Sequence, residues 1–125
     1  MDITNIRALG ILEQRILHHA KKQAVLAENV ASADIPNYKR KDIKPPNFGN
    51  LVKDAQNNVS IAITNPNHIQ PSNKGGGPVF ETGDKVKMDM EAIEIMKNSN
   101  EFAQSTQSYK KFLSLIAAVT NSGGG

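Results

Sequence analysis

Apolar and polar positions follow three different rhythms along this chain. Residues 3–33 contain no proline, and apolar side chains recur there every three or four positions, which predicts one helix. The stripe runs Leu9, Leu12, Ile16, His19, Gln23, Leu26, Val30 and Ala33. Asp2 or Thr4 is placed to cap its start, since a short side-chain oxygen accepts an orphan amide hydrogen. At 1.5 Å per residue such a helix is about 45 Å long, long for a chain of 125 residues. Ile35 precedes Pro36 and is pushed towards extended geometry, so the helix ends near Asp34.

Residues 35–86 lose the helical rhythm and hold all six prolines. Within them "NVSIAIT" alternates Val59, Ile61 and Ile63 with small or hydroxylated residues, the period of two expected of a half-buried strand. The following "NPNHIQPSNKGGGPV" has many breakers and no period, so it reads as a loop, with a short second strand around Val79 and Phe80. The helical rhythm returns over residues 89–121. Its stripe is Met88, Ala92, Ile95, Ser99, Phe102, Thr106, Tyr109, Leu113, Ile116 and Thr120, large and apolar at every a position and small or hydroxylated at most d positions. Asp89 is the expected N-cap, Glu91 and Glu94 suit the first turns, and Lys110 and Lys111 lie nearer the end, as the helix dipole favours.

The expected fold is therefore mainly α. Two long heptad helices at the ends pair as a coiled coil, with a small irregular, β-containing insert between them. The boundaries are 1–34 for the first helix, 35–86 for the insert and 87–125 for the second helix with a frayed tail. The seam is expected to use Leu9, Leu12, Ile16, Leu26 and Val30 against Ile95, Phe102, Tyr109, Leu113 and Ile116. An ordinary helical hairpin in a monomeric domain is the simpler alternative. Polar His19 and Gln23 on one stripe, with Ser99 and Thr106 on the other, suit a helix that meets several neighbours.

Composition sharpens this. Hydrophobic residues make up 38% and aromatic residues 5%, with no tryptophan, a thin supply for a self-sufficient core. A partner surface is expected to complete it. Net charge is +3 but uneven: residues 1–53 carry 9 Lys/Arg against 5 Asp/Glu, and residues 54–125 carry 6 against 7. That asymmetry suits contact between copies as well as an anionic partner. The absence of cysteine excludes disulfides, thiolate metal sites and cysteine nucleophiles. No run approaches the roughly 20 apolar residues of a membrane span. "MDITNIRALGILEQR" lacks the apolar stretch of a cleaved secretory signal, so export is expected to take another route.

Candidate chemistry is sparse. His18 and His19 point about 100° apart on a helix and cannot share a metal as an i, i+4 pair does, and His68 stands alone. "KGGGP" lacks the GK[ST] of a phosphate cradle and reads as a linker. With no nucleophile–base set, neither an enzyme, a cofactor nor a metal is expected. Tyr38 beside Lys39, Arg40, Lys41 and Lys44 allows a small nucleic-acid-binding module as the alternative function, but Asp42 interrupts the charge and nucleic acid is not the expected partner. In "AENVASADIPNYKRKDI" the small residues Ala24, Ala27, Ala31, Ser32 and Ala33 allow close helix approach. Asn29 can bond to a neighbour, and Pro36 and Asn37 set a turn that lets Tyr38 fold back.

Those residues carry a resemblance. "LAENVASADIPNYKRKD" resembles the N-terminal signature of the bacterial flagellar axial proteins (rod, hook and related subunits), where an Asn- and Ala-rich helix enters a T-P-G-Y-K-like turn. "TNPNHI" at 64–69 and "GDKVKMDMEAIEIMKNSNEFAQS" at 83–105 resemble that family's central and C-terminal segments, and are most similar to its proximal-rod members. Glu28, Ser32, Ile35, Asn37 and Phe102 depart from the usual residues; Ile35 in place of Thr removes an expected hydroxyl hydrogen bond. The resemblance implies a structural subunit of the basal body, periplasmic, passed unfolded through the flagellar type III export apparatus and assembled helically to transmit torque. It implies as partners copies of itself, other rod proteins, the membrane-embedded ring and a ring–rod junction protein. Another rod subunit of the family is the nearer alternative. The residues expected to shape a subunit junction are Asn29, Ala31, Asp34, Pro36, Asn37, Tyr38 and Lys39.

Overall fold

The two proline-free heptad runs fold as α1 (Ile3–Ala31) and α2 (Met88–Ser122), and between them lie β1 (Lys41–Ile43) and β2 (Val79–Glu81). This computed structural model describes residues 3–47, 49 and 77–123, with side chains in α1 from Ala8 onward. The expected strand at "NVSIAIT", the histidine-containing "TNPNHI" and the cap at Asp2 lie outside the described residues. The helices pack antiparallel, because partners descend along α2 as positions rise along α1: His19 meets Asn98, Lys22 meets Glu94 and Asn29 meets Glu91. The chain is thus mainly α with a small sheet inserted, as the hydrophobic pattern implied.

α1 closes through tightened turns, with the Ser32 N–H donating to Glu28 O at 3.0 Å and Ala33 N–H to Val30 O at 3.3 Å. A β-turn follows over Ile35–Tyr38, closed by Tyr38 N–H to Ile35 O at 3.2 Å. Pro36 supplies its fixed φ, and Asn37 takes the left-handed position at φ 62° that such a turn requires. β1 and β2 then pair antiparallel, Lys41 with Glu81, Asp42 with Phe80 and Ile43 with Val79. Beyond them Gly77 N–H reaches Lys44 O at 3.1 Å, and a Cβ at Gly77 would come within 2.6 Å of that carbonyl. Gly77, expected to belong to a free linker, is instead a close-approach glycine.

α2 begins one residue earlier than its expected cap. Lys87, extended at φ −112°, occupies the N-cap without a side-chain bond, and Asp89 sits inside the first turn, where its charge complements the dipole directly.

The seam is polar. Among the described residues only Val25, Leu26 and Ile43 are buried hydrophobics, whereas His18, His19, Asn29, Glu91, Asn98 and Ser105 are buried polar groups. On α1, Leu9, Leu12, Ile16 and Val30 are half-buried and Leu26 fully buried. On α2, Ile95, Tyr109 and Ile116 are half-buried, Phe102 is 38% exposed and Leu113 is 42% exposed. The column that α1 covers is not Ala92, Ser99, Thr106 and Leu113 but the one a residue earlier, Glu91, Asn98 and Ser105. Hydrophobicity is a poor guide there, because these side chains are buried by bonding across the seam.

Asn98 shows how. Its Nδ2 donates to His19 O at 2.9 Å and to Gln23 Oε1 at 2.8 Å. Its Oδ1 must then accept, so His19 Nδ1 carries a hydrogen and donates to it at 2.9 Å. Replacing Asn98 by Ala takes the acceptor from the buried His19 imidazole N–H and the donor from Gln23 Oε1. Urea unfolding followed by circular dichroism is expected to show a loss of roughly 1–3 kcal/mol with native helix content retained at zero denaturant.

Candidate assembly site: the Asn29 junction and the helix seam

Asn29 lies near the end of α1, fully buried where α1, β1 and α2 converge. Thr82 N–H donates to Arg40 O at 2.8 Å, so by antiparallel alternation the backbone groups of Lys41 point away from β2. The Asn29 amide meets them: Nδ2 donates to Lys41 O at 2.8 Å, and Lys41 N–H donates to Oδ1 at 2.9 Å. One side chain pairs with the strand edge as a neighbouring strand would. Its remaining capacity is also filled, by Nδ2 to Glu91 Oε2 at 3.2 Å and by Tyr38 OH donating to Oδ1 at 3.3 Å. Two donors and two lone pairs are all used, which removes the desolvation cost of a buried amide.

Glu91 is the second anchor. Its other oxygen accepts from Arg40 Nε, whose guanidinium also reaches Asp42 Oδ2 at 3.2 Å. A carboxylate this deep persists because Arg40 and Asn29 replace its water. Around this core, Lys41 Nζ bonds Glu28 at 2.6 Å and lies 5.8 Å from the Tyr38 ring centre, and Lys39 Nζ reaches Gly83 O at 3.3 Å. Lys39, Arg40 and Lys41 are thus engaged within the chain, not arrayed as phosphate contacts. Of the expected junction residues, Asn29 and Tyr38 meet directly, while Ala31, Asp34, Pro36 and Asn37 are exposed on the outside of the turn. Ile35 is also exposed. Sequence reasoning missed the Arg40–Glu91 pair and Asn98. The signal was present: Glu91, Asn98 and Ser105 stand seven residues apart, a heptad column written in polar residues.

Farther along the seam, a recess of about 540 Å³ is lined by residues including Arg15, His18, Lys22, Pro45, Glu101 and Ser105. His18 and His19 meet edge to face, with ring centres 5.4 Å apart. His18 Nδ1 is buried without a partner. Burial, then the neighbouring His19 and Lys22 of α1, lower the His18 pKa from 6.5, against the pull of Asp42 on β1 and Glu101 on α2. Among the described residues no His, Asp and Glu group has the makings of a metal site.

Two outcomes follow from these geometries. Glu91→Gln leaves Arg40 with a weaker partner, and chemical denaturation is expected to show a loss of about 3 kcal/mol. His18, with its folded pKa lowered, resists a proton that the unfolded chain accepts, so stability falls as pH drops below about 6.5 towards the folded pKa. Thermal melts from about pH 7.5 to pH 5.5 are expected to flatten in His18→Leu relative to the parent.

Comparison with known proteins places this architecture. No family model matches the chain. The flagellar basal body rod protein FlgB of Aeromonas hydrophila is 28% identical over 118 residues, covering 86% of this chain and 87% of the relative. FlgB of Escherichia coli K12 is 27% identical over 121 residues, covering 88% and 85%. FlgB of Buchnera aphidicola from Acyrthosiphon pisum is 31% identical over 98 residues, covering 69% and 73%. Relatives of one name, drawn from several bacterial groups and matched over most of their length, show that the chain belongs to the FlgB family of flagellar basal body rod proteins.

Proposed function

We propose that this chain is a structural subunit of the proximal rod of a bacterial flagellar basal body. It passes through the flagellar type III export apparatus and assembles helically in the periplasm through its terminal helices. There it meets copies of itself, other rod proteins, the membrane-embedded ring and the ring–rod junction protein, and transmits torque outward. The observation that carries this reading, beside family membership, is the distribution of apolar surface. Met88, Met90, Ile93, Met96, Leu115 and Val119 of α2 are all more than half exposed, while buried hydrophobics are few. Surface of that kind is covered by a partner rather than left in water.

The expected seam residues then have two tasks. Leu9, Leu12, Ile16, Leu26 and Val30 hold α1 against Ile95, Phe102, Tyr109 and Ile116, and the outward parts of Phe102 and Leu113 meet neighbours. Ala31, Asp34, Pro36, Asn37 and Lys39 present the outside of the Asn29 junction to an adjoining subunit, with Asn29 and Tyr38 holding it from within. The junction is a rigid foot rather than a catalytic centre.

Deleting the gene in its own bacterium is expected to abolish swimming and leave basal bodies with rings but no rod by electron microscopy. The parent chain restores both. Leu115→Asp with Val119→Asp, at exposed positions, is expected to keep the helix content and melting temperature of the free protein yet fail to restore swimming. A normally swimming deletion strain would sink the proposal.

A further inference from the structure

A pair of packed helices has two grooves, and here only one is covered by the chain's own described insert. On that side Asn29 bonds the β1 backbone, Asp42 acts on His18, and Ile43 is buried. By helical periodicity His18, Val25 and Asn29 share that side of α1. Among the described residues nothing covers the opposite groove, a depression of about 380 Å³ walled by Ala20 and Gln23 of α1 and Ser99 and Phe102 of α2, above His19 and Asn98. Its rim carries no charge, and two of its four wall residues are small. It also exposes the flank of α2 that includes Ala92, Ser99 and Leu113, the column that looks like a seam in the sequence and that α1 leaves uncovered.

The same molecule carries a shape that fits. Met90, Ile93 and Met96 stand on α2 away from α1, at 55%, 58% and 65% exposure. Spaced three residues apart, they form a ridge about 150° round the helix from the groove's Ser99–Phe102 wall. We infer that the Met90–Ile93–Met96 ridge of one copy seats in the open groove of a second copy, over Ala20 and Ser99. The match is one of size and polarity: long flexible thioethers and an isoleucine enter an uncharged groove with small walls. Because ridge and groove are different surfaces, the contact is heterologous and leaves one free ridge and one free groove on every dimer, so it propagates. A ridge of three side chains falls well below the ~800 Å² per partner of a stable pair. The contact is therefore weak between two free copies and holds when repeated in an assembly. This deepens the rod-subunit reading and rests on it.

The chain has no cysteine, so single cysteines report the contact without background. Ile93→Cys and Ser99→Cys, both at exposed positions, are mixed at roughly millimolar concentration, where weak pairs are populated, and mildly oxidised. The mixture is expected to give at least tenfold more disulfide-linked dimer than either variant alone. Ala20→Trp on the Ser99→Cys partner fills the groove and is expected to cut that yield about tenfold, with circular dichroism confirming that it folds. Equal yields from each variant alone would mean a symmetric contact and overturn the inference. So would a mixture no better than Ile93→Cys with an Ala117→Cys control. In isolated basal bodies, a Ser99→Cys crosslink to another rod component alone would overturn the self-contact while leaving the rod assignment intact.

Discussion

The side-chain amide of Asn29 ties three elements that have little other reason to stay together. A three-residue strand paired with one other strand is marginal in water, because too few bonds and too little apolar area oppose its entropy. Here the free edge of that strand is paired by an amide already fixed on a helix, so pairing costs little additional ordering. The same amide orients Glu91, and Glu91 holds Arg40, which lies immediately before the strand. Remove the amide and the strand edge, the buried carboxylate and the Tyr38 hydroxyl all lose a partner together. Position along the chain matters as well: Asn29 lies two residues before the end of α1 and twelve before Lys41, so the bond closes a short loop.

Asn29 and Asn98 together set the register of the helices. One reaches Glu91 from α1, and the other, one heptad farther along α2, clasps the His19 carbonyl and the Gln23 side chain. A slip of one turn would part Asn98 from His19 and Gln23 and Glu91 from Asn29, and a buried polar group left without its partner is costly. Polar seams of this sort add little net stability compared with hydrophobic ones, but they discriminate strongly between alternative alignments. Such a balance suits the proposed life of this subunit. A chain carried unfolded through a channel needs a modest barrier to being unfolded, and an unambiguous register once it arrives.

Much of this was legible in the residues, and the exceptions have a common cause. The proline-free heptad runs, the stop at Pro36, the left-handed Asn37 and the return of Tyr38 over the helix end all follow from local rules, and the structure shows them. A strand around Val79 and Phe80 was also readable. Its partner was not: Lys41–Ile43 is a three-residue segment inside a basic run, and its pairing depends on residues nearly forty positions away. The buried face of α2 was missed for a related reason. Periodicity of hydrophobic residues locates a seam closed by apolar contact, but Glu91, Asn98 and Ser105 are buried by what they bond to. Only the positions of His19, Gln23, Asn29 and Arg40 make that burial favourable.

The column left over on α2 fits the proposed assembly. A helix that meets one partner needs a single narrow stripe, whereas Ile95, Phe102 and Tyr109 are flanked on one side by buried polar residues and on the other by Ala92, Ser99, Thr106 and Leu113. Two adjacent columns sharing one large apolar column between them describe a helix meant for two neighbours. The antiparallel partner within the chain takes the polar column, where hydrogen bonds enforce a unique register. The second column, small and uncharged, asks for size complementarity without fixed polar geometry, which is the property of a contact made later and with a separate molecule. Division of labour between the two columns explains both why the free chain has a thin core and why its surface is so apolar. On the proposed reading, the heptad pattern serves the packed assembly, and the hydrogen-bonded column serves the fold of one subunit.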